Sequence, residues 1–187
     1  MTRILAAGQA RRLRHHLQRG GLVAYPTESC YGLGCLPENP HALRRLVRLK
    51  KRPQHKGMIV IGSDLTQLLP LLNTLPENEQ QALGCQWPAP KTFLLPARPN
   101  VPALLRGKNR RKLAVRVPAH PTARGMCRAA QSPLVSTSCN RTGKRACKSE
   151  REARRQFGRE VMVIGGCIGT RREPSQIIDW ASGRRLR

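Results

Sequence analysis

Seven short apolar runs, most of them closed by proline, glycine or serine, punctuate the chain with room for helices between them. They are GLVAYPT (21–27), GMIVIGS (57–63), KTFLLPA (91–97), KLAVRVP (112–118), PLVSTS (133–138), VMVIGG (161–166) and SQIIDW (175–180). Runs this short, rich in Val, Ile and Leu and bounded by turn residues, read as strands rather than buried helices. Helical patterns fill the gaps. Leu5, Leu13 and Leu17 form one stripe; PHALRRLVRLK (40–50) opens on proline and places Leu43, Leu46, Val47 and Leu49 at helical spacing. DLTQLLPLL (64–72) and HPTARGMCRAA (120–130) read as shorter helices, and Ser149 followed by Glu150 and Glu152 reads as an N-capped one. Strands interleaved with helices predict an α/β fold: an open, twisted mixed sheet with flanking helices. With no internal repeat and no Ser/Gly linker, residues 1–187 are read as a single domain.

Composition narrows the function. Aromatic residues are 3% of the chain, so the core must be aliphatic. The 35 Lys+Arg against 10 Asp+Glu give a formal charge of +25, which predicts polyanionic partners, nucleic acid before acidic membrane. No stretch has the roughly 18 apolar residues of a membrane span, and the N-terminus lacks the apolar core of a signal peptide. The seven cysteines are scattered and form no C-x-x-C pair, so neither a zinc site nor a disulfide framework follows; a reduced, cytoplasmic protein is expected. Walker A, H-E-x-x-H, G-x-S-x-G and dinucleotide fingerprints are absent, and the five histidines show no ligand spacing. Chemistry here must run on cations and hydrogen-bond donors, which suits reactions that move negative charge on phosphate or carboxylate oxygens.

Three places can supply such a site. In AYPTESCYGLGC (24–35) a strand ends in Pro26, and Thr27, Glu28 and Ser29 precede a Gly32-x-Gly34 turn; a plain connection fits the same pattern. In LVRLKKRPQHKGMIVIG (46–62), Pro53 biases Arg52 toward extended backbone. An extended 50–52 segment puts the Lys50 and Arg52 side chains on one side, about 6–7 Å apart, to grip phosphate oxygens. Lys56 could return to that site, while a basic helix end complementing its dipole explains the cluster equally. In PLVSTSCNRTGK (133–144), Ser136, Ser138 and Asn140 alternate onto one face at a strand end, as a ligand row or a turn cap. The runs RGKNRRK (106–112) and 140–155 are the most basic stretches elsewhere and are expected to be exposed.

AYPTESCYGLGC, LKKRPQHKGMIVI, WPAPKTFLLPA, LAVRVPAHP, PLVSTSCNRTG and EPSQIID occur in the order and spacing of the YrdC/TsaC family. The resemblance runs from about residue 8 to the C-terminus and is closest to the short, single-domain members. It implies a YrdC-like fold with a basic concave cleft and a threonylcarbamoyl-AMP synthase activity. L-threonine, bicarbonate (or CO2) and ATP would give L-threonylcarbamoyladenylate and pyrophosphate, with Mg2+ expected but no protein ligand for it assignable. The product serves N6-threonylcarbamoyladenosine modification of tRNA position 37, through downstream tRNA threonylcarbamoyl-transferase proteins. By resemblance, Lys50, Arg52, Ser138 and Asn140 form the catalytic tetrad around the ATP phosphates and Lys56 is a further ATP contact. Ser29, Arg116, Ser136 and Ser175 would line the threonine end. Alanine at Lys50 or Arg52 is expected to abolish turnover and leave the fold intact.

Ser29 stands where the family commonly has Thr or Ala, Ala89 where it has Gly, Ile61 where longer members carry a histidine, and Gln176 where Thr is usual. None removes the tetrad. The rival reading is a non-enzymatic RNA-binding or ribosome-maturation protein whose basic surface holds tRNA or double-stranded RNA. Neutralising Arg110, Arg111 and Lys112 is expected to weaken RNA binding yet spare turnover at saturating small substrates.

Overall fold

β-branched and leucine-rich segments bury both their faces only if helices cover the sheet on two sides, and that is how the chain folds. The structure is a computed structural model, and it describes residues 6–53 and 55–187. Eight strands form one sheet: β1 (Leu22–Pro26), β2 (Tyr31–Gly34), β3 (Ile59–Ile61), β4 (Lys91–Pro96), β5 (Lys112–Arg116), β6 (Leu134–Ser138), β7 (Val161–Val163) and β8 (Gln176–Asp179). Their order is β7-β1-β2-β6-β3-β5-β4-β8. Pairs β1/β7, β3/β5 and β4/β8 are parallel, and the other four are antiparallel. The sheet is mixed and open, as the sequence predicts. The helices are α1 (Ala7–Gln18), α2 (Pro40–Lys50), α3 (Glu77–Gln86), α4 (Ala103–Arg106), α5 (Pro121–Ala130) and α6 (Glu150–Phe157).

Alternation along the strands divides the core. Val23, Tyr25, Ile61 and Leu134 pack with Leu13 and Leu17 of α1 and Ala123, Met126 and Cys127 of α5. Their neighbours Leu22, Ala24, Val60 and Val135 point the other way, into a larger cluster with Leu43 and Leu46 of α2 and Ala153 and Phe157 of α6. The α1/α5 layer covers only part of its sheet face. Ile59, Ala114, Arg116 and Ser136 belong to that same face by alternation and line an open cavity, with Ile59 at its border packing against the α1/α5 cluster. The uncovered part of the sheet is the floor of the site.

Local chemistry sets the boundaries. The Asn39 side chain accepts the Ala42 amide, Pro40 occupies the first turn, and Leu43, Leu46 and Leu49 form the buried stripe of α2. Such a cap is worth about 1 kcal/mol. Ser149 caps α6 by accepting the Glu152 amide at 3.2 Å, as expected. Three expectations need correction. Residues 64–72 hold only a short 3-10 turn at Leu69–Leu71, because Pro70 cannot donate to an α-helical ladder. Gly32-x-Gly34 is the buried strand β2, not a turn: a Cβ on Gly34 would stand 2.1 Å from the Val135 carbonyl oxygen. The glycines are there for close approach of β6 and of the Tyr25 ring. Residues 77–86, which carry no apolar stripe, form α3. Leu5, the first member of the predicted α1 stripe, lies outside the described residues.

Candidate functional site

The cavity on the uncovered sheet face has a volume of about 750 Å³, within the roughly 300–1,000 Å³ of small-molecule sites. Arg52, Arg106, Arg110, Arg111, Lys112, Arg116 and Arg187 line it, with hydroxyls from Ser29, Ser136, Thr137, Ser138 and Ser175; no aspartate or glutamate is among the lining residues. Within the segment 106–112, residues 108–111 are exposed as expected, Gly107 is buried, and Arg106, Arg110, Arg111 and Lys112 form part of the cavity lining.

The opening basic cluster divides sharply. Lys50 is the last residue of α2, four positions beyond Leu46 and seven beyond Leu43, so helical periodicity turns it inward; it is 2% exposed. The predicted extended 50–52 segment is not formed. Lys51 adopts a left-handed conformation (φ 51°) that ends the helix, with the Lys51 and Arg52 amides donating to the Arg48 and Val47 carbonyls. The Lys50 ammonium donates to the Ser138 carbonyl, to the Asn140 carbonyl at 2.6 Å and to Asn140 Oδ1 at 3.2 Å. Burial, with the Arg52 charge beside it, pulls its pKa down to about 8, so it remains an ammonium at neutral pH. Arg52 points elsewhere: its Nη2 donates to the Gly57 carbonyl at 2.6 Å, and it lines the cavity. Arg48, Lys51 and Lys56 are exposed, and Lys56 lies outside the cavity lining.

The strand-end row forms as a unit. Ser136 is buried on the floor, the Ser138 hydroxyl donates to Asn140 Oδ1 at 2.6 Å, and Asn140 Nδ2 donates to the Lys144 and Arg141 carbonyls. The Thr142 amide donates to the Lys50 carbonyl at 2.9 Å, tying this loop to the end of α2. Asn140 and Lys50 stand behind the row and do not line the cavity themselves.

Ser29, Arg116, Ser136 and Ser175 all line the cavity. The Ser175 hydroxyl meets Thr92 Oγ1 at 3.0 Å. Arg116 is 7% exposed; its Nη2 donates to Glu28 Oε2 at 3.2 Å, and its buried Nε has no partner. Sequence reasoning left two participants without a role. Glu28 sits inside the first motif, where an acid in so basic a chain was the available signal. Arg187 lines the cavity and donates from Nε and Nη2 to the Ser175 carbonyl at 3.2 and 3.1 Å. Nothing in the local pattern distinguishes it from the other arginines near the C-terminus.

Burial and the neighbouring Arg187 lower the Arg52 pKa, and burial and Arg116 lower that of Arg187. Each guanidinium is thus held against its own solvation and against like charge. A bound polyanion relieves both. Nucleophilic chemistry by the buried thiols is disfavoured: burial raises Cys35 to about 12 and also raises Cys127 and Cys139. Of the departures from the family pattern, Ile61 is a core residue under α1 and α5, Ala89 donates its amide to the Val117 carbonyl, and Gln176 opens β8. Among the described residues no group of three or more His, Cys, Asp or Glu could hold a metal, and no helix is long and apolar enough to cross a membrane.

The fold and site define a class: an open mixed α/β sheet carrying, on its uncovered face, a cavity lined by arginine, lysine and hydroxyl-bearing residues. The Sua5/YciO/YrdC family, described as "Telomere recombination", matches residues 15–187, and the chain belongs to it. A threonylcarbamoyl-AMP synthase of Neisseria meningitidis serogroup A is 64% identical over 185 residues, 99% of this chain and 98% of that one. The threonylcarbamoyl-AMP synthase of Laribacter hongkongensis is 52% identical over the full length of both. Among solved structures, P. abyssi Sua5 complexed with L-threonine superposes with a TM-score of 0.85 at 29% identity. That match covers 94% of this chain and 52% of the other, so the present chain spans about half of it. E. coli YciO follows with a TM-score of 0.78 at 26% identity, covering 93% of this chain and 84% of its own.

Proposed function

We propose that the chain is a threonylcarbamoyl-AMP synthase, an enzyme of the nucleotidyltransferase type acting in the cytoplasm on L-threonine, bicarbonate or CO2, and ATP. The threonine amine adds to CO2 to give N-carboxythreonine. Its new carboxylate attacks the α-phosphate of ATP, a P–O bond forms as the bond to pyrophosphate breaks, and L-threonylcarbamoyladenylate results. The observation that carries this reading is the cation-lined cavity floored by the Ser136–Ser138 row, with no carboxylate in its lining. Such a wall stabilises charge spread over transferring phosphate oxygens without a protein nucleophile.

In this reading Arg52 and Ser138 meet the phosphates directly, while Lys50 and Asn140 hold the strand end that presents Ser138. Lys56 joins them when its exposed side chain turns inward. Ser29, Ser136 and Ser175 surround the threonine, and the Arg116 fork takes its carboxylate. The lining offers no acid or imidazole to a divalent ion, so Mg2+ arrives on the ATP phosphates and neutralises their charge there. The product is consumed by downstream tRNA threonylcarbamoyl-transferase proteins, and the exposed cations of 140–155 are available to tRNA or double-stranded RNA.

The test is pyrophosphate release from ATP with and without L-threonine and bicarbonate. Release that requires both is expected; release indifferent to threonine overturns the proposal. No release, together with RNA binding that falls steeply with salt, selects the RNA-binding protein instead.

A further inference from the structure

Glu28 is the carboxylate paired with the buried arginine of the cavity floor, and it touches two walls at once. It is 9% exposed. One oxygen, Oε2, accepts from Arg116 Nη2 at 3.2 Å at the end of β5; the other, Oε1, accepts from the Ala119 amide at 2.8 Å in the turn leading to α5. The loop that carries Glu28 is itself fixed. Thr27 Oγ1 donates to the Cys30 carbonyl at 2.7 Å, the Gly169 amide donates to the Thr27 carbonyl at 3.0 Å, and Lys148 Nζ donates to the Ser29 carbonyl at 2.7 Å. Gly169 packs so closely that a Cβ there would stand 2.8 Å from the Glu28 carbonyl oxygen.

Among the described residues, buried Arg116 has an unpartnered Nε and no other ion pair to set the rotation of its guanidinium plane; the other pairs involve different cations. We propose that Glu28 is the positioning residue of the threonine end: it fixes the plane of Arg116 so that the remaining donors face the substrate carboxylate. It also locks the β5–α5 turn to the loop bearing Ser29. This inference rests on the synthase reading above for the identity of the ligand, but not for the Glu28–Arg116 coupling itself. A single anchored acid serves here because it neutralises one edge of Arg116 and leaves the other edge cationic. A fork held on one side presents a fixed two-point contact; a free one loses rotamer entropy on every binding event.

Two measurements separate positioning from bulk stability. In steady-state pyrophosphate release, Glu28→Gln is expected to raise the KM for L-threonine about 10–100-fold, the equivalent of one lost charge-assisted hydrogen bond. The KM for ATP should stay within about twofold. Glu28→Asp keeps the charge but is one methylene short, and should fall between the two enzymes. In 15N-correlated spectra, the Nε–H of Arg116, assigned by its loss in Arg116→Lys, should be sharp and protected in the parent and broadened in Glu28→Gln. Equal rises in both KM values with a lowered Tm overturn the proposal in favour of a purely structural role. An unchanged Arg116 signal also overturns it. If the parent shows no threonine-dependent release, the synthase reading fails and the Arg116 signal alone decides the coupling. Should Glu28→Gln not fold, the same comparisons are read from Glu28→Asp.

Discussion

Lys50→Met is the sharpest perturbation of this protein, because the side chain it removes holds three oxygens inside the fold and not a phosphate in solution. Methionine preserves the length and most of the volume, so the packing loss is small. What disappears is a buried ammonium donating to the Ser138 carbonyl, the Asn140 carbonyl and Asn140 Oδ1. Asn140 Oδ1 keeps the Ser138 hydroxyl and the Ser138 carbonyl keeps the Asn140 amide, so the Asn140 carbonyl is the acceptor left bare, at a cost of about 1–3 kcal/mol. Part of that is returned because a charge no longer has to be desolvated. A net loss of about 1–2 kcal/mol follows, or a Tm lower by about 2–8 °C at this chain length. The fold is expected to survive, as the sequence reading has it, but with a measurable loss of stability.

The pH dependence gives a second reading. The folded pKa of Lys50 is lowered to about 8 from 10.5. Below pH 8 both folded and unfolded chains carry the proton, and the gap between parent and variant is flat. Between pH 8 and 10.5 the folded parent sheds a proton that the unfolded chain keeps, so its stability relative to Lys50→Met rises by about 1.4 kcal/mol per unit. Comparing the two proteins cancels the buried thiols and tyrosines, which titrate in both. Differential scanning calorimetry at pH 7 and pH 9.5 measures the gap. A variant as stable as the parent at pH 7, with no widening at pH 9.5, would refute the assignment of Lys50 as the anchor of the strand-end row. Pyrophosphate release by the folded variant at 25 °C should be lost, because Ser138 and Asn140 are no longer held.

Two further outcomes follow from the geometry. Gly34→Ala forces its Cβ to 2.1 Å from the Val135 carbonyl, so β2 and β6 must separate; a loss of more than about 3 kcal/mol in urea unfolding is expected, and near-parental stability would refute the close approach. Arg110→Gln with Arg111→Gln should raise the KM for ATP severalfold at low ionic strength, with the effect fading toward about 0.5 M salt as the exposed rim is screened. Turnover independent of these residues at every salt concentration would place them outside the phosphate path, as sequence reading alone had them.

The α/β class and seven of the eight strands were legible because a strand covered on both faces must be apolar, and the chain writes such runs plainly. β2 was missed because its glycines mimic a turn; only the approach of β6 and Tyr25 shows why side chains are excluded there. α3 was missed because its apolar content is a single buried residue, Leu83, without a stripe. At the site, Ser29, Arg52, Arg116, Ser136, Ser138 and Ser175 do meet at one cavity. Lys50 was expected to face a ligand from extended backbone; it is the buried last residue of α2 and does not line the cavity. Proline at 53 suggested extended backbone; the Leu43–Leu46–Lys50 spacing of a helix overrode it.

Layers and charge were legible in the chain itself: local periodicity decides which side chains a strand or helix must bury, and composition sets the net charge of +25. Sequence alone could not decide where the helix layer stops short and leaves sheet exposed, since that depends on how far α1 and α5 reach across strands distant in the chain. Nor could it tell a cation facing solvent from one facing in. Lys50 and Lys51 are neighbours in sequence, but one is buried against three oxygens and the other is exposed, because a helix ends between them. Glu28 and Arg187 entered the site for the same reason. Their partners, Arg116 and Ser175, lie elsewhere in the chain, and only folding brings each pair together.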